Sequence, residues 1–229
     1  MEDCLYKNKC KFYKVKGQCD SGCVRYAEMN AMIRQSNLTK RQVNLPKLYP
    51  DQKDKKAFKF LAKYRNDIVK NVNEGKSLYI WSDGCGNGKT TTAVKMMLNY
   101  FDKVWAGNGL KPRAKFVNVP QFLLSIHDNF ELKSTEFLEE KQFLKEVDLL
   151  VLDDIGVSNR SNNYDNEQLL SIIDARVNEG KATIYTSNID PNHLHFKLDQ
   201  RTVSRMMADC TIVELRGGDR RYDRTTSIK

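Results

Sequence analysis

SLYIWSDGCGNGKTTTAVKMMLNYF, residues 77–101, is the stretch that decides the fold. SLYIW, 77–81, reads as a short apolar strand, and TTAVKMMLNYF, 91–101, as a helix. Between them runs Asp83-Gly-Cys-Gly-Asn-Gly-Lys-Thr90. The phosphate-binding pattern is G-x-x-x-x-G-K-[ST]. Gly88, Lys89 and Thr90 match it, Gly84 and Gly86 keep the loop small, and Asp83 replaces the first glycine. Glycines let backbone N–H groups turn inward around a phosphate, at the positive end of the following helix. Lys89 would reach the β- and γ-phosphates, and the Thr90 hydroxyl would sit on Mg2+. Gly84, Cys85, Gly86, Asn87, Gly88, Lys89, Thr90 and Thr91 are thus the candidate cradle for a nucleotide such as ATP. The bland alternative is a Gly-rich turn with a chance Lys-Thr. The strand–turn–helix setting weighs against it.

Outward from the loop, strands and helices alternate. Phe58, Leu61, Tyr64, Ile68 and Val72 recur at helical spacing upstream, and Gly75 stops that helix. Downstream, KFVNV (115–119) is a strand and PQFLLSIHDNF (120–130) a helix. A helix over 134–147 has Ser134 as its N-cap. VDLLVLDD (147–154) is a strand buried on both faces. A helix over 166–180, the strand ATIYTSN (182–188), a helix over 199–209 and the strand CTIVEL (210–215) complete the set. The expectation is an α/β fold, a parallel sheet flanked by helices.

The strand ends supply the remaining chemistry. Asp153 would hold Mg2+ through water, and Asp154 would orient the attacking water. Asn188, at the tip of the next strand, would help to place that water, or would simply cap a turn. Arg201 and Arg205 share one face of a short helix, and Arg220, Arg221 and Arg224 follow the last strand. Arginine stabilises phosphoryl-transfer charge in cis or in trans.

Cys4, Cys10, Cys19 and Cys23 cluster at the start, spaced C-x5-C-x8-C-x3-C. Four thiolates would complete a closed, structural Zn2+ site and supply folding free energy to a segment with few large aliphatics. The alternative is four free thiols on a tail. Residues 27–56 read as a connector with a short helix over 27–38, and the domain boundary is placed near residue 45. The expected division is 1–45, a zinc module with connector, and 46–229, the nucleotide-binding domain.

The charge is +9, with 38 Lys and Arg against 29 Asp and Glu, which favours a polyanionic partner. No run approaches the ~20 apolar residues of a membrane span, and the start lacks an apolar signal core, so a cytoplasmic setting without a membrane is expected.

The phosphate loop, LLVLDDIG (149–156), TSN (186–188), LDQRTVSR (198–205) and GGDRR (217–221) stand in a telling order. Together with S-N-x-x-P-x-x-L they resemble the AAA+ P-loop NTPases of the DnaC/DnaI type, the bacterial and phage replicative helicase loaders. The resemblance covers residues 50–229. The short, Lys- and Asn-rich text resembles a phage-encoded member. The resemblance implies ATP-dependent loading of a hexameric replicative helicase onto single-stranded DNA, by subunits assembling with ATP or on the helicase. It makes Lys89 and Thr90 Walker A, Asp153 and Asp154 Walker B, and Asn188 sensor 1. Arg205 is then the finger acting on a neighbour's ATP, with Arg201 close by. Arg221 is the sensor 2 arginine, with Arg220 the competing register. The cysteine module would grip the helicase. Residues 120–146 would face single-stranded DNA, with Lys111, Arg113, Lys115 and Lys133 as candidate contacts. Two other readings stay open. One is a transposition ATPase of the IstB kind. The other is a nucleotide-binding adaptor with little turnover, kept alive by Asp83 and Asp154.

Overall fold

Unbroken apolar strands require cover on both faces, and the chain provides it. A computed structural model describes residues 4, 7–15, 19–20, 22–45, 48–49, 52–130, 135–157 and 163–220. The strands are β1 (Ser77–Trp81), β2 (Ala114–Asn118), β3 (Leu149–Asp153), β4 (Ala182–Ser187) and β5 (Cys210–Glu214). They form one sheet in the order β2-β3-β4-β1-β5, every pairing parallel. Along β1, Leu78 and Ile80 enter one core cluster, and Tyr79 and Trp81 enter the other. β3 alternates likewise, with Leu149 and Val151 on one face and Leu150 and Leu152 on the other. Period-two alternation with both faces apolar is the signature of a sheet covered on both sides.

The helices are α1 (Val24–Gln35), α2 (Lys40–Val43), α3 (Lys55–Asn66), α4 (Ile68–Asn73), α5 (Lys89–Val104), α6 (Val119–Phe130), α7 (Thr135–Glu146), α8 (Asn163–Asn178) and α9 (Gln200–Met207). α1, α3, α4 and α5 cover the first face; α6, α7, α8 and α9 cover the second. The single helix expected from Phe58 to Val72 breaks at Asp67 into α3 and α4. Its cause is local. Asn71 Nδ2 donates to the Tyr64 carbonyl at 3.0 Å, taking the acceptor that a continuous helix would use. Ser134, the expected cap of α7, lies outside the described residues.

The stretch read as a connector is a working part of the core. α1 starts at Cys23, whose Sγ accepts from Tyr26 N at 3.3 Å. Its Met29, Met32 and Ile33 are fully buried in the first cluster. α2 opens on a capping box: Gln42 N donates to Thr39 Oγ1 at 3.2 Å, and Thr39 N to Gln42 Oε1 at 2.9 Å. Arg176 on α8 staples the opposite face. It is 1% exposed and donates to the carbonyls of Leu144, Val147 and Ala182 at 2.9, 2.8 and 2.6 Å. Burial lowers its pKa to about 10.

Candidate nucleotide site

Parallel strands place their C-terminal ends on one rim, and the loop after β1 crosses that rim beside β3 and β4. Gly88 takes φ 98° as it hands the chain to α5, and Gly86 takes φ 74°. Side chains resist that region, so glycine is required at both turns. A Cβ on Gly86 would also lie 1.7 Å from Asp219 Oδ1. Lys89 is buried, and its Nζ donates to the Gly84 carbonyl at 2.7 Å, folded back across the loop. Asp83 is exposed, so replacing the first glycine of the pattern introduces no clash within the cradle.

The two acids end β3 in different states. Asp153 is 3% exposed, and its Oδ1 accepts from Thr186 Oγ1 at 2.6 Å. Burial pushes its pKa up to about 6, Asp154 adds to the rise, and Thr186, Thr90 and Lys89 oppose it. Asp154 takes the left-handed φ of 59°. Its N–H donates to the same Thr186 hydroxyl at 3.1 Å. Thr186 therefore ties β4 to the Asp153 carboxylate and the Asp154 backbone at once. The Ser187 hydroxyl donates to the Ile155 carbonyl at 2.7 Å and locks the following turn.

A cavity of about 350 Å³ opens between these groups. Cys85, Gly86, Asn87, Gly88, Lys89, Thr90, Thr91, Asp154 and Asn188 line it. Gly84 contributes through its carbonyl to Lys89. Asp153 lines an adjoining recess of about 480 Å³ with Asn118 and Glu140. Backbone donors, a lysine, a hydroxyl and two acids on one rim are suited to a nucleotide phosphate chain with its cation. Mg2+ fits the acids, because Asp153 is a buried carboxylate whose ionisation lacks sufficient counter-charge.

The family model for the bacterial DnaA ATPase domain matches residues 55–213, more than half of the chain. The chain belongs to that family. The DnaC/DnaI resemblance is borne out as well. The replicative helicase loader DnaI of Bacillus subtilis (strain 168) is 26% identical over 140 residues, which is 59% of this chain and 42% of that relative. The match thus spans less than half of that relative's length. The crystal structure of the DnaC helicase loader aligns with a TM-score of 0.62 at 21% identity, covering 74% of this chain and 94% of that one. AMPPCP-bound DnaA from Aquifex aeolicus gives 0.59 at 18% identity, covering 74% and 48%. Those two structures share the fold.

In this DnaA-type ATPase domain, several residues line the cavity that the motifs did not reveal. Arg41, Gln42, Leu45 and Leu48 close it from the N-terminal side. The capping-box spacing of Thr39 and Gln42 was the available signal for the start of α2. Arg220 also lines the cavity, whereas Arg221 and Arg224 lie outside the described residues. Neither Arg201 nor Arg205 lines it. Arg205 Nε instead meets Asp174 Oδ1 on α8 at 2.9 Å, which leaves its two terminal nitrogens out of that contact. Of the DNA-contact candidates, Arg113 pairs with Asp148 at 3.0 Å and Lys115 with Glu140 at 3.6 Å. Lys111 is exposed, and Lys133 lies outside the described residues.

The expected Zn2+ site at the four N-terminal cysteines finds no support. Among the described residues, no group of three or more His, Cys, Asp or Glu is arranged to hold a metal ion. Cys4 and Cys10 pack against the first core cluster, and Cys4 Sγ accepts from Asn30 Nδ2 at 3.6 Å. Among the described residues no helix is long and apolar enough to cross a membrane.

Proposed function

We propose that this chain is an ATP-dependent loader of a hexameric replicative helicase onto single-stranded DNA. The observation that carries the reading is the convergence of Lys89, Thr90, Asp154 and Asn188 on one cavity, with Asp153 beside it, in a chain related to a helicase loader. Lys89 swings from the Gly84 carbonyl to the β- and γ-phosphates, and loop N–H groups surround them. Thr90 and Asp153 would hold Mg2+, which would supply charge neutralisation to the phosphates. Asp154 orients the attacking water, and Asn188 stands beside it. Arg205, with Arg201 nearby, acts on the nucleotide of a neighbouring subunit, and Asp174 holds it by Nε so that its terminal fork projects. Of residues 1–45, those before α1 carry the helicase-docking role, while α1 and α2 pack into the ATPase domain that continues through residues 46–229. The α6–α7 region and the exposed Lys111 meet single-stranded DNA, whose phosphates the +9 charge attracts.

A second reading, a nucleotide-binding adaptor with little turnover, is favoured by one observation. The water-orienting position holds a short aspartate on a left-handed backbone. Single-turnover hydrolysis separates the two readings. The loader reading itself is tested by light scattering after gel filtration with the host's replicative helicase, with and without ATP. A complex is expected with wild type, and its stoichiometry changes with nucleotide. Absence of a complex under every nucleotide condition removes the loader reading in favour of the transposition ATPase.

A further inference from the structure

Asp54 precedes α3 at its N-cap position, yet its carboxylate makes no cap hydrogen bond to that helix. It is fully buried, with 0% exposure. A buried carboxylate is costly unless donors surround it. The donors come from the far end of the domain. Arg216 N and Gly217 N, just past β5, donate to its two oxygens at 2.7 and 3.1 Å. Arg220 Nη2 adds another at 3.2 Å.

The segment that Asp54 gathers, Arg216–Arg220, lies on the phosphate loop. Arg220 N donates to the Gly86 carbonyl at 3.1 Å, and Asn87 Nδ2 donates to the Gly217 carbonyl. The Asp219 carboxylate occupies the space where Gly86 lacks a side chain. The Arg220 guanidinium lies 5.4 Å from the centre of the Phe58 ring, on the first turns of α3. Arg220 therefore has a carboxylate, an aromatic face and the Tyr49 carbonyl fixing it. Its Nε is buried without a hydrogen-bond partner among the described residues, and its side chain lines the nucleotide cavity. A buried donor without an acceptor is unfavourable, and a phosphate oxygen in the cavity is an acceptor of matching charge.

We propose that Asp54, with Phe58, is a positioning residue of the nucleotide site: it holds Arg220 against the cavity and clamps the segment after β5 onto the phosphate loop. Nucleotide occupancy and closure of that segment are then one event. This inference rests on the nucleotide-site reading above.

The test is a double-mutant cycle read by titration with a fluorescent adenine nucleotide. Wild type, Lys89→Ala, Asp54→Asn, Arg220→Ala and the Asp54→Asn/Arg220→Ala pair are compared. Asp54→Asn is expected to weaken binding about tenfold, a typical consequence of losing one charge-assisted hydrogen bond. Arg220→Ala should do at least as much, and the loss in the double variant should fall well short of the sum of the two single losses. A purely structural role for Asp54 predicts additive losses instead, and additivity overturns the proposal. So does a folded Asp54→Asn that binds like wild type. Should Asp54→Asn fail to fold, Phe58→Leu removes the stacking face while sparing the carboxylate. It should weaken binding in wild type and not in Arg220→Ala; equal weakening in both backgrounds overturns the proposal. If wild type and Lys89→Ala bind alike, the nucleotide-site reading itself fails, and this inference with it.

Discussion

At Asp153, burial and the neighbouring Asp154 both oppose ionisation, and the Thr186 hydroxyl offsets only part of that cost. The pKa rises from 3.8 to about 6, so the folded, metal-free protein holds the proton more tightly than the unfolded chain does. The sign follows from linkage. Stability from this group is fully present below about pH 4 and is lost as pH rises through about 6. The loss amounts to about 3 kcal/mol. Asp153→Asn should therefore melt higher than wild type above pH 7 in a chelator, with the difference vanishing towards pH 4, while hydrolysis is abolished. Parallel melting profiles across that range would show that Asp153 is not strained when metal-free. Lys89 and Thr90 were legible in the sequence because a phosphate loop is a local backbone structure with fixed spacing. Thr186 was not, because its hydroxyl bonds the Asp154 N–H and the Asp153 carboxylate across the sheet, 32 and 33 positions away. The place of Arg220 at the cavity was equally hidden, since no local pattern shows that the fold brings it there.

Among the elements, α1 and Arg176 show where pattern reading stops. The segment around α1 has two nearby prolines and many lysines, which is linker composition. Yet its Met29, Met32 and Ile33 fill the first core cluster. Met29, Met32 and Ile33, three and four apart on a polar background, give a weak apolar stripe, and only the facing α5 shows that it is buried. Met32→Ala should cost about 3 kcal/mol by the cavity it leaves. Denaturant unfolding measures this, and a loss within ~0.5 kcal/mol, the usual range for surface changes, would place α1 outside the cooperative core. No sequence pattern singles out Arg176, but it satisfies carbonyls at the end of α7 and the start of β4. Arg176→Met removes the charge and most of the donors while keeping similar bulk. It should destabilise by about 3 kcal/mol or more, because several buried carbonyls lose their partners together. A near-neutral result in the same unfolding assay would show that water replaces the guanidinium.

Across the whole molecule, the order β2-β3-β4-β1-β5 puts the loop after β1 next to the tips of β4 and β3. Both motif halves were legible because each sits at a strand end, and a parallel sheet gathers strand ends on one rim. The closure of that rim was not legible. It joins residues before α3 to residues after β5, 162 to 166 positions apart. Such a contact has no local pattern to betray it. The same rim leaves Arg205 on α9 outside its own cavity, and the proposed function sends it to a neighbour's. If assembly brings it there, equimolar mixing of Arg205→Ala with Lys89→Ala subunits should restore part of the hydrolysis that each lacks alone. No recovery on mixing would assign Arg205 a role within its own subunit.

The central claim is that nucleotide bound at this rim drives placement of a helicase on DNA. Its most direct test is transfer of the host's hexameric replicative helicase onto circular single-stranded DNA, scored by co-sedimentation after a high-salt wash. Wild type with ATP and Mg2+ should leave the helicase on the circle; Lys89→Ala, or wild type without nucleotide, should not. Helicase retained equally in all three, or in the absence of this chain, would contradict the account.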